Sequence, residues 1–111
     1  MNKTSRIFIA GHNGMVGSAI LRILKSKEFE NLIYLSSKDL DLRNQTAVQD
    51  FFSKEQPEYV FMAAAKVGGI HANNTYKADF IYDNLAIELN VIHSSCNFSD
   101  SIRLIRFFKI T

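Results

Sequence analysis

At 111 residues, with 47% hydrophobic and 22% charged side chains, the chain has the size of one domain and a composition that excludes intrinsic disorder. Thirteen basic residues against eleven acidic ones leave a net charge of +2 with no basic block, so no nucleic-acid surface is expected. A single cysteine, Cys96, excludes an internal disulfide, no Cys/His grouping has metal-ligand spacing, and the first apolar run is too short for a signal peptide or a membrane span, so a cytoplasmic protein is expected.

RIFIA at 6–10 is a short β-branched and aromatic run ending at a glycine, which predicts a strand buried on both faces. From Met15 the apolar residues Val16, Ala19, Ile20, Ile23 and Leu24 recur at helical spacing, and Lys25 and Lys27 place positive charge where the helix dipole favours it. NLIYLS at 31–36 repeats the strand signal, and QTAVQDFFSKE at 45–55 predicts a helix with Val48, Phe51 and Phe52 on one face, closed by Pro57. YVFMAAA at 59–65 reads as a third buried strand, followed by a polar loop over 66–77. A helix is predicted from Ala78 to Ser95, with Ile81, Leu85, Leu89 and Ile92 along one stripe. IRLIRFFKI at 102–110 gives a fourth strand, although Arg106 and Lys109 interrupt an apolar pattern that a central strand would keep. The order β-α-β-α-β-α-β predicts an α/β fold, a three-layer Rossmann-type parallel sheet with strand order 3-2-1-4, undivided over 1–111. A ligand is expected across the C-terminal ends of strands 1 and 4.

Gly11, Gly14 and Gly17 lie between the first strand and the first helix, the setting in which a glycine run reads as a dinucleotide fingerprint. Gly11 permits the tight turn, Gly14 lets the backbone approach a pyrophosphate, and Gly17 lets helix and strand pack closely, with helix amides facing the anion. The bland alternative is a tight turn with no ligand. A phosphate-loop NTPase fits less well, because that pattern places Lys and then Ser or Thr after the last glycine, whereas Ser18 and Ala19 follow Gly17. Where an NAD site carries an acid at the end of the second strand, this chain has Ser36, Ser37 and Lys38, which suit a 2′-phosphate and favour NADP; Asp39, one residue on, keeps NAD open.

The glycine loop, SSKDLDL at 36–42 and AAAKVGGIHANNTYKADFIYDN at 63–84 together resemble the GDP-L-fucose synthase (GDP-4-keto-6-deoxymannose epimerase-reductase) group of the extended short-chain dehydrogenase/reductase family, in register from about Arg6 to Ser95. The resemblance implies a cofactor site in which Gly11, Asn13, Gly14, Met15, Val16 and Gly17 hold the NADP pyrophosphate. Family members often carry Arg at the position of Asn13, so Ser37 and Lys38 are left to meet the 2′-phosphate. Asp41 and Leu42 would border the adenine, and Ala63, Ala64 and Ala65 would lie along the cofactor. Lys66 to Asn74 would approach the nicotinamide and sugar, with Lys77 where family members usually show Pro, and Asn84 would brace neighbouring backbone.

The family reaction, NADPH-dependent conversion of GDP-4-keto-6-deoxymannose to GDP-L-fucose, uses a Ser after the fourth strand and a Tyr-x-x-x-Lys pair. The resemblance places both beyond the fourth strand, past Thr111, so no catalytic residue is assigned, and the missing general acid is worth roughly 100- to 10,000-fold. Ser94, Ser95 and Cys96 imitate the family's Ser-Ser-Cys stretch but fall at a helix end with no strand before them, and are expected to be ordinary helix residues. The segment after about Cys96 reads as the divergent or out-of-frame ending of a truncated gene, and the GDP-sugar would bind only to the intact family enzyme. His12, His71 and His93 pair with no nucleophile or acid in sequence, so structural or exposed roles are expected. A homodimer through the helix 78–95 is the expected assembly. The rival reading is a non-catalytic nucleotide-binding or interaction remnant.

Overall fold

The computed structural model describes residues 1–63, 73–98 and 103–106. Its elements are β1 (Arg6–Ala10), α1 (Met15–Ser26), β2 (Asn31–Ile33), α2 (Gln45–Glu55), β3 (Tyr59–Met62), α3 (Asn73–Phe98) and β4 (Arg103–Arg106). The alternation predicted from sequence is present, and all three strand pairings are parallel.

The strand order differs from the prediction. It is β2-β1-β3-β4, not 3-2-1-4: β3 does not continue outward past β2 but returns to the other side of β1, pairing Ile7 with Tyr59 through Ala10 with Met62. The reason lies in β1, which has two apolar faces to cover. Ile7 and Ile9 point one way, against Leu24, Ile20 and Leu21 of α1, while Phe8 and Ala10 point the other way. Two right-handed crossovers running in one direction would stack α1 and α2 on the same face. Reversal after β2 puts α2 on the opposite face, where Phe51 and Phe52 close on Phe8 at ring-centroid distances of 4.5 and 5.9 Å. β2 itself is three residues long with Asn31 exposed and Leu32 and Ile33 half-buried, which suits an edge and not the centre.

Element ends shift for local reasons. β2 stops at Ile33, short of the predicted 36, because Tyr34 and Leu35 turn outward and lie more than a third exposed. β3 is described to Met62, and Ala63 adds one further ladder bond, its N–H donating to the Ala10 carbonyl at 2.9 Å. α3 begins at Asn73 where a loop was predicted through 77, since a first turn of polar residues carries no apolar period to detect. α2 keeps its predicted bounds: Asn44 caps its start, Gln56 adopts a left-handed φ of 44° at its end, and buried Pro57 follows. Part of the apolar stripe read along α3 turns out to face solvent, with Ile92 half-buried. Leu85 and Leu89 are exposed, while Ile87 and Val91 enter the core beside Val48, Val60 and Met62. Among the described residues no helix is long and apolar enough to cross a membrane.

Candidate functional site: a cleft over the glycine loop

The topological reversal places the switch point between β1 and β3, where two crossovers leave in opposite directions and open a crevice at the strands' C-terminal ends. The glycine loop lies there. Gly11 has φ 88°, a conformation that L side chains rarely adopt, and its carbonyl accepts the Gly14 N–H at 3.2 Å to close the turn. Gly17 is buried, and a Cβ built on it would sit 1.8 Å from the Gly11 carbonyl oxygen, so only glycine lets α1 approach the end of β1 this closely. Gly14 is different. Its backbone is extended, with φ −78° and ψ 174°, and an added Cβ would meet nothing nearer than 3.6 Å. The chain's own packing therefore does not require glycine at 14, and the space a methyl group would take there is open to a ligand.

Gly14 is also the N-cap of α1. It offers no side-chain cap, and the first turn of α1 holds no acidic residue, so its orphan amides are met neither by a cap nor by a carboxylate. α2 shows what self-sufficiency looks like: Asn44 Oδ1 accepts the Ala47 N–H at 3.1 Å. The uncapped α1 terminus suits an anion, which the dipole and first-turn amides would hold.

The loop forms one wall of a cleft of about 450 Å³. Gly11, His12, Asn13 and Gly14 make that wall; Leu35, Ser37, Leu40, Asp41, Leu42 and Arg43 make the facing one; Ala63 and Ile87 close the floor. The facing wall is held by backbone and side-chain bonds. The Ser36 carbonyl accepts from Asp39 and Leu40 N–H at 3.0 and 2.9 Å, and the Ser36 hydroxyl donates to Asp39 Oδ2 at 3.2 Å. Asn90 of α3 donates from Nδ2 to the Leu42 carbonyl at 2.9 Å. Arg43 grips Asp41 side-on and reaches Asp83 of α3; hydrogen bonding to Asp41, then the charges of Asp41 and Asp83, push its guanidinium above its already high ordinary pKa, so the charge is permanent. Beside the loop, the His12 ring lies 5.1 Å from that of Tyr34, and the Lys25 ammonium stands 4.9 Å over the same tyrosine.

Residues 7–107 match the NAD dependent epimerase/dehydratase family, which takes in nearly the whole chain and runs past Ser95 into β4. The chain belongs to that family. Among its curated relatives, GDP-L-fucose synthase 1 of Arabidopsis thaliana is 58% identical over 94 residues, 85% of this chain and 29% of that protein. GDP-L-fucose synthase of Escherichia coli is 54% identical over 90 residues, 81% of this chain and 28% of that one. The GDP-mannoheptose C4 reductase of Campylobacter jejuni, solved with NADP bound, superposes with a TM-score of 0.88 at 44% identity, covering 96% of this chain and 33% of that structure. The chain thus spans less than a third of the length of the curated relatives it matches.

Within this epimerase/dehydratase unit, the cleft gathers Gly11, Asn13, Gly14, Ser37, Asp41, Leu42 and Ala63 from the residues predicted as cofactor contacts. Met15, Val16 and Gly17 stand behind them in the first turn of α1 and do not line it, and Met15 is 84% exposed. Lys38 is exposed in the turn after Ser37 and does not line it either; nor does Asp39, which Ser36 holds. Ala64, Ala65 and the segment 66–72, with His71, lie outside the described residues. Of the predicted helix-end residues, Ser94 and Ser95 are buried in α3, with Ser95 Oγ donating to the Val91 carbonyl at 2.7 Å, and Cys96 is exposed.

Sequence reading missed His12, Leu35, Leu40, Arg43 and Ile87 as lining residues. Leu40 carried a usable signal, an isolated apolar residue in a polar turn; Arg43 carried none. Asn90 also braces backbone, at the Leu42 carbonyl. Among the described residues no group of three His, Cys, Asp or Glu side chains is placed to hold a metal.

Proposed function

We propose that this chain is the NADP(H)-binding portion of a GDP-L-fucose synthase-like epimerase-reductase, whose whole reaction is the NADPH-dependent conversion of GDP-4-keto-6-deoxymannose to GDP-L-fucose. The observation that carries the reading is the α1 terminus, uncapped and free of acid, with Gly14 open to the cleft at the switch point. The bound nicotinamide supplies a hydride; this chain's part is to hold and orient it. In this reading the pyrophosphate lies against Gly11, Asn13 and Gly14 and takes the amides of Met15, Val16 and Gly17. The adenine lies toward Asp41 and Leu42, and the dinucleotide passes over Ala63, Ala64 and Ala65. Ser37 meets the 2′-phosphate, with Lys38 of the next turn supplying charge from solvent. Relatives solved with NADP or NADPH support the choice of cofactor.

The assembly that fits is a homodimer through α3, because Tyr82, Leu85 and Leu89 lie on its outward face, each more than half exposed. The lone exposed cysteine fits a reducing cytoplasm.

The test is a titration of the purified chain with NADPH and with NADH, followed by nicotinamide fluorescence and melting temperature. Saturable binding that favours NADPH is the expected result. A folded chain that binds neither would overturn the reading and leave the glycine loop an inherited turn. Sedimentation before and after Leu89→Glu tests the dimer, which the added charge should dissociate.

A further inference from the structure

The cleft is short of positive charge. Among the described residues that line it, Arg43 and His12 are the two that can be cationic, and Arg43 is taken up by Asp41 and Asp83, a group of three with one net negative charge. Lys38 and Asp39 of the turn do not line it. A dinucleotide brings about two negative charges in its pyrophosphate, and a 2′-phosphate adds about two more near neutral pH. The amides that open α1 answer them with partial charge only.

His12 is placed to answer the rest. It follows Gly11 in the loop, lines the cleft and is half-buried, and its ring lies 5.1 Å from that of Tyr34 at a tilt of 52°. Contact between ring faces uses neither imidazole nitrogen as a donor. Tyr34 follows β2 directly, so the imidazole leans from the loop toward the strand end that carries Ser37. The Lys25 ammonium of α1 stands 4.9 Å from the centre of the same tyrosine ring, and a second cation there gains little until an anion enters the cleft. Histidine is the side chain that changes charge across neutral pH, and a phosphate bound beside it favours the charged form.

We propose that His12 is a proton-linked phosphate contact: a phosphate of the dinucleotide draws a proton onto its imidazole as it binds, so the cleft acquires its missing cation together with its ligand. The proposal rests on the nucleotide reading above and adds to it a binding residue and a pH dependence. Affinity rises as the pH falls through the range in which the imidazole gains its proton.

The experiment is titration calorimetry of oxidised NADP and NAD into the wild-type chain, His12→Gln and His12→Lys, in two buffers of different ionisation enthalpy, which counts the protons taken up per ligand. A 2′-phosphate titrates near the same pH, so the quantity read is the difference between wild type and His12→Gln. At about pH 7 the wild type should take up roughly 0.3–0.5 proton more than His12→Gln. Its advantage in affinity over that variant should widen by about fivefold to tenfold between about pH 8 and pH 6. His12→Lys, cationic throughout, should bind more tightly than His12→Gln at the higher pH and show no excess uptake. Excess uptake with both nucleotides assigns the contact to the pyrophosphate, and with NADP alone to the 2′-phosphate; either supports the proposal. Equal uptake in wild type and His12→Gln, or a loss of affinity that is the same at both pH values, overturns it and leaves His12 a packing residue, with ligand-free melting temperatures as the control for folding. If the wild type binds neither nucleotide, it is the nucleotide reading that has failed, and the proposal falls with it.

Discussion

Across the cleft, the glycine loop takes its shape from backbone restrictions within Gly11–Gly17, whereas the wall at 36–43 takes its shape from α3, whose Asn90 is 48 residues from the carbonyl it holds. The loop can form as soon as β1 and α1 meet. The wall has turn bonds of its own, but its Leu42 carbonyl is held only when α3 has docked. The difference teaches where each half is vulnerable: the loop to any added side chain, the wall to the loss of a distant partner.

Substitutions can break or sharpen that contrast. The largest effect is expected from Gly17→Ala, because the new methyl would lie 1.8 Å from a backbone oxygen that has nowhere to move; a loss of about 3 kcal/mol in urea unfolding is expected. Gly11→Ala should cost about 1–2 kcal/mol, the strain of placing an L residue at φ 88°. Asn90→Ala should cost about 1 kcal/mol and, unlike the glycine changes, should raise amide hydrogen exchange selectively across 40–44. Uniform exchange across the domain would show that the wall does not depend on α3 in the way described. Gly14→Ala should alter stability least, by about 0.5 kcal/mol or less, since a reduced unfolded-state entropy offsets a poorer N-cap. Its affinity for NADPH should nonetheless fall at least tenfold, a loss of about 1.4 kcal/mol or more. Equal losses of stability at 14 and 17 would erase the distinction between a glycine the fold needs and one the ligand needs.

How much was legible in the sequence follows the same division. The glycines, Ser37, Asp41, Leu42 and Ala63 could be placed near one another because local spacing and the resemblance fix them. α2 was read with its bounds intact because Val48, Phe51 and Phe52 mark its buried face and Pro57 its end. The strand order was not legible, because RIFIA says that both faces of β1 are buried but not which helix covers which. α3 misled for a related reason: two apolar stripes run along it, and the one on Leu85 and Leu89 was the more regular, yet Ile87 and Val91 are the pair that meets the sheet. Arg43 was invisible as a cleft residue because its grip on Asp41 and its contact with Asp83, 40 positions away, are side-chain pairings of which periodicity carries no record.

The interior place of β1 has a consequence for biosynthesis. β1 is made before the elements that cover it, so one of its edges stays open until residues 59–62 have been made, and the face carrying Phe8 stays bare until α2 can fold. At roughly 5–20 residues per second, the nascent chain carries Ile7, Phe8 and Ile9 in solvent for several seconds. During that interval they form an extended apolar segment of the kind that a chaperone holds, exposed until β3 and α2 arrive to cover it.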